Sequence, residues 1–395
     1  FHAFSLQIMR DRIDGISNAQ RLGFQRLPTL LSSHQRLQML SRISTVEQRR
    51  TLEVDLLRLD DELAKREMCG SEGKKTEISQ RESLIALIEQ QYRTEKRRSN
   101  AWDFADMVQC AVSLMRDHSE VAQYYGRRFR AVLVDEFQDT NPLQISLLSL
   151  LLAGGAHLFA VGDDDQAIYG FRGADTGPIL RFDQCFPPAT ILKLQTNYRS
   201  TPAILNRANR IFRGKPSAYR KELRSGRAHA TSGERPRILH FSTREAMVHW
   251  LSGRARRIHA SRGITFSEMA LLFRVNESLE RTADLVKRLA GAESSLQCLT
   301  IHGSKGLEFP VVFLCDLEEG VFPNYRLSKG GRGLVNAMVT LVRPPRPDCD
   351  MEEERRLFYV GVTRAQSHLY LLSVREKDIY GRRKKLKPSR FLKLL

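Results

Sequence analysis

Apolar residues along the chain fall into two regimes. From about Asp11 to Asn100 the sequence is highly charged, and its leucines recur at helical spacing: Leu37, Leu40, Ile43 and Val46, then Leu52, Leu56, Leu59 and Leu63. Apolar residues three and four apart line one face of a helix, so this stretch predicts amphipathic helices and no strand. From Trp102 onward, short apolar runs alternate with amphipathic stretches. The predicted strands are 129–134, 157–161, 190–194, 237–241, 269–273, 296–301, 311–315 and 368–372. Predicted helices between them include 142–152, 201–212, 243–261, 276–289 and 352–365. Such alternation predicts parallel α/β sheets with helices on both faces. A polar stretch rich in Arg, Lys, Gly and Pro, 200–233, marks a seam between two such units.

The first predicted strand leads somewhere costly. Ala131 to Val134, AVLV, is a continuous apolar run that suits a strand buried on both faces, and Asp135 and Glu136 follow at once. Ligand sites in parallel sheets lie at the carboxyl ends of strands. Adjacent carboxylates repel one another and resist desolvation. One explanation is ordinary: a solvated turn in which Asp139 or Asn141 caps a helix opened by Pro142. The other is a cation, because Mg²⁺ takes one or two carboxylates and leaves its other positions to water and phosphate oxygens.

Composition sharpens the second explanation. At 395 residues the chain is long for one core, and its 42% apolar and 27% charged content is ordinary for a globular protein. The 63 Lys+Arg against 45 Asp+Glu give a formal net charge of +18, which favours a polyanion partner, most commonly nucleic acid. Six cysteines without CxxC spacing read as reduced thiols of a cytoplasmic protein. No apolar run is long and unbroken enough to predict a membrane span. The opening FHAF, without an initiating Met, reads as part of something longer. GSEGKKT, 70–76, superficially resembles a phosphate-binding loop, but position 68 is Met where the pattern needs Gly and no strand precedes it; it reads as a turn. The terminal GRRKKLKPSRFLKLL, with seven basic and no acidic residues, reads as a basic surface leading into a short helix.

Further polar clusters follow predicted strands. GDDDQAIYGFRGA supplies Gln166, able to sense a phosphate, the stacking faces Tyr169 and Phe171, and the planar fork of Arg172. NYRS supplies Tyr198 and Arg199. TIHGSKGLEF supplies His302 and Glu308, and EEERRLFYVGVTRA ends on Arg364, eight residues past Arg356 and so able to share its helix face.

This set resembles the UvrD/Rep-like family of superfamily 1 helicases. DEFQDTN resembles the family's Walker B motif, and the four stretches above resemble its motifs III, IV, V and VI. FHAF resembles the end of the DNA-contacting motif Ib, and DFADMV, Asp103 to Val108, the family's DFDDLL segment. The resemblance implies two RecA-like parallel-sheet domains of the P-loop NTPase type with a helical subdomain. Residues 1–10 would be a remnant of the first domain, 11–100 a 1B-like helical subdomain, 101–200 the first domain with motifs II–IV, and 201–395 the second with motifs V and VI.

The same resemblance implies an ATP-dependent 3′→5′ helicase or translocase, using ATP and Mg²⁺ at the interface of the two domains. It would work on single-stranded DNA and single-strand/duplex junctions. Asp135 would hold Mg²⁺, Glu136 polarise the attacking water, and Gln166 couple the γ-phosphate to DNA. Arg199 and Arg364 would be cationic clamps, Tyr198 would stack on adenine, and Glu308 would contact the ribose. His2, Phe4, Tyr169, Phe171, Arg172 and His302 would face DNA. Two family features are missing from these residues: a GxGKT-like Walker A loop, and a 2B subdomain between 289 and 296. The chain as given is therefore expected to hydrolyse little ATP alone. The alternative reading is a helicase-derived DNA-binding protein without ATPase activity.

Overall fold

The computed structural model describes all residues except 14–15, 23–26, 53–55, 70–79, 215–218, 227–233, 290–294, 325–349 and 380–381. The expected turn at 70–76 and most of the 289–296 join lie outside the described residues. The chain divides into two compact units, one from Phe1 to Ile179 and one from Leu180 to Leu395. That division falls ahead of the polar 200–233 stretch, so Tyr198 and Arg199 belong to the second unit.

The first unit is mostly helical: α1 (His2–Arg10), α2 (Ser33–Ile43), α3 (Val46–Leu52), α4 (Leu56–Cys69), α5 (Gln80–Arg98), α6 (Phe104–Asp117), α7 (Ser119–Arg128) and α8 (Pro142–Leu152). The leucine spacing builds the expected helices, although Val46 is 58% exposed. The stretch also holds short strands that its pattern does not predict, Arg12–Ile13 pairing with Ile16–Ser17 and Thr29–Leu30 with Ala101–Trp102. Leu40, Leu52, Leu59 and Leu63 join Ile85, Ile88 and Tyr92 in one buried cluster shared by α2 to α5. A second cluster takes Ile8 and Met9 of α1, the apolar face of α6 from Met107 to Met115, and Leu143, Leu147 and Leu151 of α8. There α7 and the end of α8 meet at glycine: a Cβ on Gly154 would lie 2.3 Å from the Gly126 backbone.

Between these clusters sits a buried ion pair. Lys96 of α5, 3% exposed, places Nζ 2.7 Å from Asp103 Oδ2 and 2.8 Å from Asp106 Oδ2, while the Tyr92 hydroxyl donates to Asp103 at 3.2 Å. Asp103 also caps α6, accepting the Asp106 N–H at 3.0 Å.

Strands β1 (Ala131–Val134) and β2 (His157–Ala160) pair in parallel, with Leu133 opposite Phe159. Burial on both faces, expected for β1, does not occur: Leu133 is 77% and Phe159 63% exposed. The pair has no third strand among the described residues. The strand expected at 190–194 is also not formed, and Leu192 and Leu194 are 82% and 81% exposed. An apolar run becomes a strand only where a neighbour takes up its backbone hydrogen bonds. Here only Thr196–Asn197 finds one, pairing with Arg224–Ser225.

The second unit holds a five-stranded sheet of β3 (Arg237–Phe241), β4 (Met269–Phe273), β5 (Gln297–Thr300), β6 (Phe309–Leu314) and β7 (Ala365–Val374). The order is β5-β4-β6-β7-β3, and every pairing is parallel. Parallel neighbours need crossovers. Helix α10 (Arg244–Arg262) carries β3 to β4, and α11 (Asn276–Leu289) carries β4 to β5; α9 (Pro202–Ile211) precedes them and α12 (Asp350–Thr363) leads into β7. Strand β4 is buried at all five positions, as a central parallel strand should be. Leu271, Phe273, Val311, Phe313, Tyr370 and Leu372 pack under Val248, Leu251 and Ala255 of α10. The terminal segment ends in a 3₁₀ turn, Arg390–Leu394, whose buried Phe391 stacks on Phe358.

Candidate active site

In the first unit the ends of β1 and β2 are tied into one polar network. Val161 N–H donates to the Val134 carbonyl at 2.8 Å, and Phe137 N–H to the Val161 carbonyl at 2.9 Å. Between them Glu136 adopts φ 50°, ψ 44°. For a residue with a Cβ this left-handed conformation costs about 1–3 kcal/mol and persists only where its surroundings enforce it. They do so here: Asp135 Oδ1 accepts the Glu136 N–H at 2.8 Å, the Glu136 carbonyl accepts Asp139 N–H at 2.9 Å, and Gln138 Nε2 grips the Glu136 carboxylate.

Gln138 is fully buried and links the two strand ends, because its Oε1 accepts the Asp163 N–H at 2.9 Å. Gly162 makes room for it; a Cβ there would lie 2.7 Å from Gln138 Oε1. Asp163 Oδ2 in turn accepts Gln166 Nε2 at 2.7 Å. Glu136, Gln138, Asp163 and Gln166 thus form a continuous chain of side-chain and backbone hydrogen bonds. Sequence reasoning named its two ends and missed Gln138 and Asp163. The signal was the spacing, since a residue two past Glu136 in a tight turn comes back toward it.

Asn141, not the acidic pair, caps the following helix. Its Oδ1 accepts Gln144 N–H at 2.9 Å, the Gln144 side chain returns the bond, and Pro142 holds the first helical position. Of the two caps expected, Asn141 is the one formed, and the exposed Asp135 and Glu136 take no part in it. Asn141→Ala is expected to cost about 1 kcal/mol of stability, the usual worth of such a cap. Chemical denaturation will show that loss.

The residues assigned to DNA by resemblance are differently placed. Tyr169 and Phe171 bring their ring centroids to 6.0 Å, and Phe171 is 36% exposed. Phe4 packs edge-on against Tyr125 and Phe129, and His2 against Phe104 at 5.1 Å. The Arg172 side chain lies outside what is described.

In the second unit, four residues from three distant stretches converge. Asn197 Oδ1 accepts the N–H groups of Arg199 and Ser200, at 2.9 and 2.8 Å, and so shapes the turn that presents Arg199. Buried Ser200 donates to the Ala365 carbonyl at 2.6 Å, fastening that turn to the start of β7. The Arg199 guanidinium then pairs with Glu308 through Nε and reaches the Thr363 carbonyl at 3.4 Å. Gln366 Nε2 donates to Glu308 Oε1 at 2.9 Å. The hydrogen bond from Arg199 holds the Glu308 carboxyl below its ordinary pKa.

Arg364 is 2% exposed and donates to the Val360 and Leu307 carbonyls at 3.2 and 3.1 Å. It stands just past the last residue of α12 rather than on a helix face shared with Arg356. Tyr198 beside them is 75% exposed, a ring open to stacking. Glu308 and Arg364 immediately precede β6 and β7, so this cluster sits at the amino ends of the strands. The carboxyl-end rule finds Asp135 and Glu136 but would have missed it. His302 lies elsewhere, in a 3₁₀ turn after β5.

Comparison with known proteins identifies the family. Residues 1–187 match the UvrD/REP helicase N-terminal domain, and residues 192–290 and 278–376 match the UvrD-like helicase C-terminal domain. The chain belongs to the UvrD/Rep-like superfamily 1 helicases. A probable DNA helicase of Mycoplasma pneumoniae is 32% identical over 298 residues, which cover 75% of this chain and 53% of that protein. The ATP-dependent DNA helicase PcrA of Staphylococcus aureus is 23% identical over 484 positions, covering 78% of this chain and 64% of that protein. PcrA of Staphylococcus epidermidis is 22% identical across the whole chain and 75% of its own length. The chain thus spans between half and two-thirds of the first two relatives. As a UvrD/Rep-like protein it is an α/β chain with RecA-like parallel sheets.

Proposed function

We propose that this chain supplies motor elements of an ATP-dependent DNA helicase that translocates 3′→5′ on single-stranded DNA. The observation that carries the reading is the convergence of Tyr198, Arg199, Glu308 and Arg364, drawn together by Asn197, Ser200 and Gln366. Charged groups with these partners are suited to gripping a nucleotide and answering charge as it develops on phosphate.

The donor chemistry at Asp135 fits Mg²⁺: it is an exposed carboxylate at a strand end, with Oδ1 taken by one N–H. Asp135 would hold the ion, which when bound neutralises charge on the phosphate oxygens. Glu136, fixed by its backbone and by Gln138, orients and polarises the attacking water. Gln166 couples phosphate occupancy to the DNA-facing turn that carries Tyr169, Phe171 and Arg172. Arg199 and Arg364 stabilise transition-state charge, Tyr198 stacks on the base, and Glu308 contacts the ribose once nucleotide competes for Arg199. His2, Phe4 and His302 complete the DNA-facing set.

The domain reading is part of the proposal: a 1B-like subdomain over 11–100, flanked by 1–10 and 101–200 of the first RecA-like domain, and no 2B insertion in the second. Supporting it, the C-terminal family match falls in two segments meeting at 278–290, and the alignment to Staphylococcus epidermidis PcrA needs 575 positions for 395 residues. Among the described residues no helix is long and apolar enough to cross a membrane. We place the activity in the cytoplasm.

The first test is binding. The chain is expected to take up single-stranded DNA with little sequence preference, and affinity should fall steeply with salt as counterions are released. A titration that stays flat from low to moderate salt would contradict the reading. DNA binding with no DNA-stimulated ATPase in the protein containing a phosphate loop would favour the helicase-derived binding protein instead. Polarity is tested by strand displacement from substrates tailed at the 3′ or the 5′ end.

A further inference from the structure

A cavity of about 710 Å³ opens in the second unit, and none of the catalytic candidates lines it. Among the described residues its wall carries Arg210, Arg213, Arg220, Lys221 and Arg224 against a single acid, Glu222. The pocket is held open by specific bonds. Asn209 of α9 brackets the opposite segment, donating to the Leu223 carbonyl at 2.9 Å and accepting the Leu223 N–H at 3.0 Å. Arg224 N–H donates to the Gln195 carbonyl at 2.8 Å, and Gly226 N–H to the Asn197 carbonyl at 2.8 Å, closing the third side.

Some of its cations are anchored. The Arg220 guanidinium donates to the Phe212 carbonyl, and Arg210 Nη1 to the Leu395 carbonyl at 3.0 Å. The guanidiniums of Arg213 and Arg224 are different: both residues are exposed, and neither has an ionic or side-chain hydrogen-bond partner among the described residues. Five cations converging on one cavity repel one another, and one carboxylate does not offset them. A ligand bearing several negative charges removes that cost. Guanidinium forks match phosphate oxygens in geometry.

We propose that this cavity holds consecutive phosphates of a nucleic-acid backbone, a contact separate from the motif residues. The inference rests on the DNA-binding reading above. Several cations spread around a pocket of about 710 Å³ suit a chain of phosphates better than a single one. The protein's +18 charge favours a nucleic acid over a free polyphosphate. Contacts of this kind carry no sequence information and set the strand's position.

The test compares the full chain with the double variants Arg213→Ala/Arg224→Ala and Arg213→Lys/Arg224→Lys. Anisotropy of a labelled single-stranded oligonucleotide is followed over a salt series, with tripolyphosphate as competitor and thermal melts confirming that each variant is folded. The alanine pair is expected to bind more weakly and to lower the salt slope by about 1.4, at roughly 0.7 per lost single-strand contact. The lysine pair, which keeps the charge, should recover most of the slope. If the unaltered chain binds DNA but the alanine pair matches it in affinity and slope, the pocket proposal fails alone. If the unaltered chain binds no DNA, the DNA reading fails and this proposal with it. Should the alanine pair lose only its response to tripolyphosphate, the site belongs to small anions and the proposal is overturned.

Discussion

On the proposed function, replacing Glu136 with Gln is expected to lower DNA-stimulated ATP turnover by roughly 10²-fold or more in a protein that also carries a phosphate loop, as loss of a general base does. The substitution keeps the side chain's shape and its capacity to accept from Gln138, so the left-handed turn and the link to Asp163 should survive. ATP with Mg²⁺ should therefore still bind. Asp135→Asn separates the two roles, because it removes an anionic metal ligand and should weaken Mg²⁺-dependent nucleotide affinity first. Since Asn141 caps the helix that follows, neither substitution removes a cap, and stability should change little. Turnover and nucleotide affinity measured side by side decide the matter. Near-normal turnover in Glu136→Gln would overturn the role assigned to that carboxylate.

The legibility of this site in the sequence was uneven, for physical reasons. Local signals carried well: Pro142 and Asn141 mark a helix start because they satisfy the first turn's backbone, and α8 and α11 begin and end where their patterns place them. The antiparallel pair Glu376–Ile379 with Arg382–Lys385, the latter in what reads as a basic surface, was not legible. The five strands of the second unit's large sheet were, from their short apolar runs between helical stretches. The 190–194 run has the same composition and forms no strand. Whether a neighbour is available to pair with is a property of the fold and not of the segment. Similarly, β1 has a buried strand's sequence yet an exposed face. Gln138 and the Arg199–Glu308 pair were invisible because their meaning lies in partners up to 109 positions away. Resemblance brought Arg199, Glu308 and Arg364 onto one page; only coordinates put them in contact.

The largest effect on stability is expected at Lys96, which anchors the helical cluster to α6. Lys96→Ala leaves Asp103 buried beside Asp106 without a cation, and losing one partner of a buried pair costs about 3–5 kcal/mol. Burial alone would push the Asp103 carboxyl up, but the attraction and hydrogen bond of Lys96, the Asp106 N–H and Arg36 bring it down to about 2. A depressed carboxylate contributes stability that is full above its unfolded pKa of 3.8 and is lost as pH falls toward about 2. Asp106 is raised by burial and by Asp103, so its contribution runs the other way and offsets part of that acid loss. Without Lys96 the sign at Asp103 reverses: its folded pKa rises, and stability is lost as pH climbs through the new value. The gap between the unaltered chain and Lys96→Ala should therefore be widest near neutrality and narrow on acidification. Lys96→Met combined with Asp103→Asn should recover part of the loss, because it removes the buried Lys96–Asp103 charges while Asn still caps α6. Only the partly exposed Asp106 is then left without its cation. Urea denaturation across the acid range gives the comparison. A deficit under about 1 kcal/mol at neutral pH, the worth of an exposed pair, would mean that the ion pair does not secure the helical cluster to α6.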